Sequence, residues 1–301
     1  AAGGQAVKAG TRPGAEAVAA KGWLAAHRWL LLRRSSQLLV LMLFLSGPWF
    51  GLWIAKGNLA SSLTLGVLPL TDPYVLLQSL LAGHAPLRTA LLGAAIVLAL
   101  YLLVGGRAYC SWVCPMNAVT DTSAWLRTRL NLRSGGRLPR NTRWWLLATT
   151  LVVAAASGSI AWELVNPVSM LQRALVFGGG AAWAVVAAVF LFDLAVVPRG
   201  WCGHLCPVGA AYSVIGRASV VKMQAARREA CNDCADCYAV CPEPLVIKPA
   251  LKAVDGAGPV ITSAQCTNCG RCIDVCSKDV FSFGLRRQPA PPQPEVASKT
   301  H

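Results

Sequence analysis

Eight cysteines near the C-terminal end fall into two runs of one spacing. Cys231, Cys234, Cys237 and Cys241 form the first, followed by Pro242; Cys266, Cys269, Cys272 and Cys276 form the second. Each reads C-x2-C-x2-C-x3-C, the spacing with which a tight loop wraps a cubic [4Fe–4S] cluster; in two-cluster modules the fourth cysteine of a run serves the other cluster. The spacing assigns Cys231, Cys234, Cys237 and Cys276 to one cluster, and Cys266, Cys269, Cys272 and Cys241 to its partner. Paired structural zinc sites are the competing reading, since zinc also accepts four thiolates, but zinc sites usually pair C-x2-4-C knuckles and rarely use a tandem run of four. Ser277 stands where the second run would repeat Pro242, which relaxes a turn and removes no ligand.

The rest of the chain is too apolar for an ordinary soluble domain. Of 301 residues, 55% are hydrophobic and 14% charged, outside the usual globular range. Four uncharged stretches carry the excess: residues 35–55, 89–106, 144–162 and 174–192. A membrane span needs roughly 20 apolar residues, about 30 Å at 1.5 Å per residue, so the pattern predicts four transmembrane helices, with Pro48 kinking the first. Buried helices of a large soluble protein are the alternative. Tryptophans 23, 49, 53, 144, 145, 162 and 201 lie near the ends of the stretches, as an interfacial belt would place them. The glycines at 178–180 would allow close helix packing; no strand precedes them, so they do not read as a nucleotide loop.

The formal net charge of +15 is divided unequally among the flanks. Lys21, Arg28, Arg33 and Arg34 precede the first stretch. Arg107, Arg127, Arg129, Arg133, Arg137, Arg140 and Arg143 lie between the second and third. Arg199, Arg217, Lys222, Arg227 and Arg228 follow the fourth, whereas the two remaining loops hold only Lys56 with Arg88, and Arg173. The positive-inside rule then puts both termini, the second loop and the cluster domain on the cytoplasmic side of a bacterial inner membrane. That distribution accounts for the charge without nucleic acid. All 12 cysteines sit in four short motifs, whose spacings suit clusters in reducing surroundings rather than disulfides.

The expected organisation is an all-α polytopic membrane protein with a small C-terminal tandem ferredoxin-like domain. Residues 1–20, rich in Ala and Gly and without the apolar run of a signal peptide, are expected to be disordered. A four-helix membrane domain follows over 21–221, the cluster domain over 222–284, and a proline-rich disordered tail over 285–301.

The membrane part repeats. Arg107-Ala-Tyr-Cys110-Ser-Trp-Val-Cys114-Pro115 matches Arg199-Gly-Trp-Cys202-Gly-His-Leu-Cys206-Pro207, and Asp72-Pro-Tyr-Val-Leu-Leu-Gln78 matches Asn166-Pro-Val-Ser-Met-Leu-Gln172. Both units run the same way across the bilayer, a parallel repeat about an axis along the membrane normal. The repeat brings Cys110, Cys114, Cys202 and Cys206 to one depth on the cytoplasmic side. Three readings stay open for them: a third metal or cluster site, redox-active or partner-docking thiols, and reduced cysteines packed at a helix junction.

The same topology puts Trp53, Lys56, Asn58, Asp72, Glu163 and Asn166 on the outer side. Oxidation of a quinol there needs a hydrogen-bond acceptor or base beside an apolar slot. Glu163 is the first candidate for that base and Asp72 the second. The plainer alternative has Asp72 and Asn166 capping helices and Glu163 facing solvent. No two histidines occupy matched depths on different helices, which argues against a bis-histidine haem; His204, inside the second C-x3-C-P, is a ligand or an interfacial packing residue.

Several local strings carry a family resemblance: G-P-W-F-G at 47–51, P-L-T-D-P at 69–73, C-S-W-V-C-P at 110–115, W-E-x-V-N-P at 162–167, W-C-G-H-L-C-P at 201–207 and R-R-E-A-C-x-D-C-x-D-C at 227–237. Over roughly residues 21–284 the chain resembles the NapH family, membrane-bound quinol dehydrogenase components of periplasmic nitrate reductase systems. The resemblance implies two [4Fe–4S] clusters, quinol as electron source, and as partners a periplasmic iron–sulfur protein and a membrane-anchored c-type cytochrome. Related membrane ferredoxins serve nitrous oxide respiration, methylamine oxidation and cytochrome oxidase assembly. A copper-handling assembly factor is therefore the alternative from a different class.

Overall fold

The computed structural model describes residues 12–132, 135–136 and 138–286. The expectations placed on residues 1–11, Arg133, Arg137 and 287–301 lie outside the described residues. Helices α1 (Ala15–Lys21), α2 (Trp23–Ala26) and α3 (Arg28–Phe50) lead into strands β1 (Ala55–Gly57), β2 (Ser61–Thr64) and β3 (Leu68–Thr71). Then come α4 (Pro73–Leu81), α5 (Arg88–Val104), α6 (Ala108–Trp112), α7 (Met116–Arg129), α8 (Thr142–Ser157), α9 (Pro167–Phe177), α10 (Gly180–Leu191) and α11 (Pro207–Gly216). Strand β4 (Val221–Gln224), helices α12 (Asp236–Val240), α13 (Ile247–Lys252) and α14 (Arg271–Val275), and strand β5 (Ser282–Leu285) complete the chain. These form two compact units. One joins the described residues up to Leu30 with Val220–Cys266 and the chain from Gly270 on; the other holds Leu31–Ser219 with Thr267–Cys269.

In the larger unit, only α3 among the described helices is long and apolar enough to cross a membrane; α5 and the helix from Gly180 to Val196 are shorter apolar helices, and α8 has 16 residues. The fourth uncharged stretch is not one helix. Gly178 takes φ 68°, the left-handed conformation that glycine adopts freely, and its N–H closes the end of α9 on Ala174 O. A new helix, α10, then starts at Gly180. The glycines also do not serve close packing, because a Cβ added at 178, 179 or 180 would meet nothing within 4 Å.

The expected all-α class needs a second correction. Between α3 and α4 the chain forms an antiparallel sheet in the order β1-β2-β3, with Ala55 opposite Thr64 and Ser61 opposite Thr71. Leu65 and Gly66 both take positive φ in the three-residue turn between Thr64 and its partner Leu68. Strand β3 lies so close along α5 that a Cβ on Gly93 would stand 3.0 Å from Thr71 N.

The two sequence repeats are built alike. Asp72 Oδ1 accepts from Tyr74 N at 2.7 Å and Asn166 Oδ1 from Val168 N at 3.1 Å, each as the N-cap of a helix with proline at its first turn. The prolines of the C-x3-C-P motifs start the next helices, α7 and α11. Between the repeats lies a core that includes Tyr74, Tyr101, Met116, Trp162, Leu171 and Tyr212. In it Tyr109 stacks on Tyr212 at 5.2 Å between ring centroids.

The smaller unit has its own core of Met223, Ile247, Leu251, Ile261, Val280 and Phe281, closed by the antiparallel pair β4–β5 with Val221 opposite Leu285. The disorder expected up to residue 20 does not hold for the described part of that segment. Gly14 N donates to Asp236 Oδ2 at 2.8 Å, and Lys21 Nζ donates to Ile273 O at 2.7 Å and Cys276 O at 3.0 Å. Asp274 accepts the first free N–H groups of α3, from Trp29 at 3.0 Å and Leu30 at 2.9 Å. Acids at helix N-termini and a lysine at the end of α14 satisfy groups that an isolated helix leaves open. Composition alone could not show this, because the partners lie more than 200 residues away.

Candidate functional site

Three cysteine groupings are in question. In the smaller unit one cavity of about 20 Å³ is ringed by Cys231, Cys234, Cys237 and Cys276. Those are the four cysteines that the spacing put in one set; Cys241 is not on that wall. Of the second set, Cys241, Cys266 and Cys272 pack against the smaller unit's core, while Cys269 is grouped with the larger unit.

The two loops share a backbone pattern. Asp233 and Asn268, each two residues after the first cysteine of a run, take φ 57° and 48°; Ala235 and Gly270, each one residue after the second, take φ 66° and 73°. Alternating left- and right-handed residues turn successive N–H groups toward one side, the nest that iron–sulfur sites use. Burial and the neighbouring thiols push the Cys237 thiol up to about 12, and burial also raises Cys231 and Cys234. Such thiols give up their protons to a cationic metal core rather than to water. The residues therefore fit iron–sulfur clusters.

The larger unit gathers all four remaining cysteines. Cys110, Cys114, Cys202 and Cys206 line one cavity of about 30 Å³, together with Asp72, Asn166, Trp162, Trp201 and Tyr109. That volume holds one or two waters. The repeat topology alone places Asp72 and Asn166 across the membrane from these thiols. The structure joins them because α4 and α9 are short helices of 9 and 11 residues that start inside the unit, not at its rim. Trp162, read from sequence as an interfacial residue, is 5% exposed and stacks on Trp201 at 6.4 Å. Its indole Nε1 is buried with no hydrogen-bond partner, a donor left over on the wall of a thiol-lined cavity. His204 is not on that wall.

Electrostatics narrows the choice among the three readings of these thiols. Burial raises all four, Cys206 to about 12 and Cys114 and Cys202 further, while Arg107 pulls Cys110 and Cys206 partway back. Arg107 also donates to Cys202 O at 3.2 Å, tying one repeat to the other. Nucleophilic redox cysteines have depressed pKa values, so these four do not resemble them. Among the described residues no group of three or more His, Cys, Asp or Glu is placed to hold a single metal ion. Thiolates on one zinc stand about 3.8 Å apart, given a Zn–S bond of about 2.3 Å. The ferredoxin-type quartets fail the same test, since a cubic cluster spreads its ligands wider. The four thiols, with Arg107 beside Cys110 and Cys206 and a spare indole donor on the same wall, leave a metal or cluster site and packed reduced cysteines as the two readings the geometry supports.

Asp72 and Glu163 also differ in setting. Asp72 is pushed up to about 6, mainly by burial, against the opposing Tyr74 N–H and Tyr212 hydroxyl. With the folded value raised, the stability it contributes is present at low pH and is lost as pH rises through about 6. Asparagine caps as well as aspartate and already stands at the matching position, Asn166. Asp72→Asn is thus expected to raise thermal stability in detergent increasingly between about pH 4 and 6.5, levelling off on the order of 2 kcal/mol above wild type. A difference constant with pH would show that no charge is held at Asp72. Glu163, half-buried, accepts from Ser169 Oγ at 2.6 Å and Asn166 Nδ2 at 3.0 Å. It is neither on the wall of the thiol cavity nor simply solvated.

Comparison with known proteins adds three findings. A family described as a 4Fe–4S binding domain matches twice, over residues 89–133 and 179–225, each match taking in one C-x3-C-P motif. A family described as a 4Fe–4S dicluster domain matches residues 223–277. The methylamine utilization ferredoxin-type protein MauN of Methylorubrum extorquens is 54% identical over 272 residues, 90% of this chain and 94% of its own. The ferredoxin-type protein NapH of Escherichia coli is 51% identical over 274 residues, 91% and 95% of the two chains. MauN of Paracoccus denitrificans is 55% identical over 273 residues, 91% and 96%. No solved structure matches.

Proposed function

The chain belongs to the ferredoxin-type NapH/MauN family, and we propose that within it this 4Fe–4S electron-transfer protein oxidises a membrane quinol and relays the electrons toward a periplasmic nitrate reductase. In this reading four membrane helices form two parallel repeats in the bacterial inner membrane, with both termini and the cluster domain in the cytoplasm. Its partners are a periplasmic iron–sulfur protein and a c-type cytochrome. Two [4Fe–4S] clusters are held by the Cys231/Cys234/Cys237/Cys276 and Cys266/Cys269/Cys272/Cys241 sets, and a third centre by Cys110, Cys114, Cys202 and Cys206. Domain limits near residues 21, 221 and 284 follow the same reading, with the helices at 15–26 added to the cluster domain.

The observation that supports it most is the cavity at which both repeats present their cysteines beside Asp72. The bound clusters would take up and pass on electrons singly. The protein's own groups do the rest. Arg107 and the Trp162 indole offer positive charge and a hydrogen bond to the thiolates. Glu163, held by Ser169 and Asn166, accepts protons that oxidation releases. Two of the relatives named for methylamine utilization are slightly more identical than NapH of Escherichia coli, which supports a second reading in which the same chemistry serves a methylamine-oxidising system.

The test is anaerobic. In liposomes, added quinol is expected to reduce the clusters, followed by electron paramagnetic resonance, and a quinol-site inhibitor to block it. Clusters that respond to dithionite but never to quinol would defeat the proposal.

A further inference from the structure

A second cavity in the larger unit is ten times the size of the thiol cavity. It has a volume of about 300 Å³ and is lined by Phe44, Trp53, Ser169, Gln172, Val176 and Phe177 among others. This is the lower end of the small-molecule range. Trp53 and Phe177 are 57% and 80% exposed, and the exposed Arg173 lines the cavity with them, so its mouth is aromatic and carries one positive charge.

Among the described residues, its buried wall includes a polar atom without a partner. Gln172 is 8% exposed; its Nε2 donates to Gly57 O at 3.3 Å, and its Oε1 is buried with no hydrogen bond. The matching residue of the first repeat, Gln78, has its Oε1 satisfied by Trp162 N at 3.1 Å. The second repeat therefore keeps a buried acceptor where the first has used it. Leaving such an acceptor unpaired is costly, which argues for a ligand hydroxyl.

Beside Gln172, Ser169 faces the same cavity and donates to Glu163 Oε2 at 2.6 Å. Glu163 in turn accepts from Asn166, which lines the thiol cavity. Both cavities thus lie along α9: Val168 borders one and Gln172 the other, four residues and about 6 Å apart along the axis.

We propose that this aromatic cavity is the binding site for the quinol headgroup, with Gln172 Oε1 accepting a ring hydroxyl and Ser169 passing protons to Glu163. The proposal rests on the functional reading above and adds the place and the interactions. Each quinol gives up two protons and two electrons. The protons leave one at a time, quinol hydroxyl to Ser169 Oγ while the serine's own proton passes to Glu163, which releases it to solvent before taking the next. The electrons leave singly to oxidised iron–sulfur centres, the oxidant of the functional reading. Ser169 is the catalytic residue in this scheme, and Glu163 acts through it.

The experiment uses the full-length protein in detergent and a fluorescent hydroxyquinoline N-oxide, a quinol analogue whose emission is quenched on binding. Gln172→Leu removes the acceptor and Phe177→Ala the aromatic wall. Each is expected to weaken analogue binding about tenfold, the usual effect of deleting one hydrogen bond or ring face from a site. Phe177 is exposed, so its variant is safe for folding, and dithionite-reduced cluster spectra check both. Glu163→Gln is expected to leave analogue binding intact, slow quinol oxidation about a hundredfold and flatten its pH profile. Unchanged binding in both cavity variants, with wild type binding normally, would place the quinol elsewhere and leave the functional reading standing. A wild-type protein that neither binds the analogue nor is reduced by quinol would overturn both.

Discussion

Replacing Cys110 and Cys206 together by serine is expected to remove about four of roughly twelve irons and to stop quinol-driven reduction of the remaining clusters. The reasoning starts from burial. All four C-x3-C-P thiols are raised, Cys206 to about 12, so without a metal they would stay neutral at pH 7. Serine is then close to an isosteric replacement, and little should change. With an iron–sulfur centre present, two of its four soft ligands become hard, weakly coordinating hydroxyls, and the centre is lost. Iron analysis separates these cases, and dithionite should still reduce the ferredoxin-type clusters in the variant. About eight irons in wild type, unchanged by the substitution, would return these cysteines to a packing role.

The second large effect concerns which cysteines serve together. Cys276→Ser is expected to release the cluster bordered by Cys231, Cys234 and Cys237, although Cys276 lies 39 to 45 positions away from them in sequence. The mass-spectrometric signature is specific. A thiol-alkylating reagent should label those three cysteines in the variant and leave Cys266, Cys269 and Cys272 protected. Cys241→Ser should give the complementary pattern. The loss amounts to about four irons in each case, and metal binding contributes directly to folding, so thermal stability should fall as well. Labelling of Cys266, Cys269 and Cys272 in Cys276→Ser would mean that each run serves its own cluster.

The parts of this molecule set by local covalent spacing were readable from the sequence. The quartets and the doubled C-x3-C-P motif needed no three-dimensional knowledge, and the cap-plus-proline starts of α4 and α9 were legible at Asp72-Pro73 and Asn166-Pro167. What escaped was whatever depended on depth. Hydropathy treats 174–192 as one stretch because glycine is neutral in such counting, yet Gly178 and its φ of 68° divide it. The β2–β3 hairpin was hidden because its turn is Leu65-Gly66, and a leucine at positive φ is not a turn signal. Those two misreadings moved Asp72 and Asn166 to the outer surface, when α4 and α9 begin beside the thiols. The aromatic cavity beside Ser169 and Gln172 was missed for a different reason: Gln172 looks like any helix glutamine until its unpaired Oε1 is seen.

The smaller unit takes residues from both ends of the chain, and this bears on the order of synthesis. Gly14 and Asp236, hydrogen-bonded in the finished protein, are separated by 222 positions. At roughly 5–20 residues per second, the N-terminal helices leave the ribosome some ten to forty seconds before their partner exists. During that interval Lys21, Trp29 and Leu30 have no carboxylate or carbonyl from the C-terminal segment to bind. A delivery system that loads clusters would meet a complete pair of binding loops only after translation has passed Cys276. A chain interrupted anywhere in the larger unit would therefore remain without its ferredoxin-type iron.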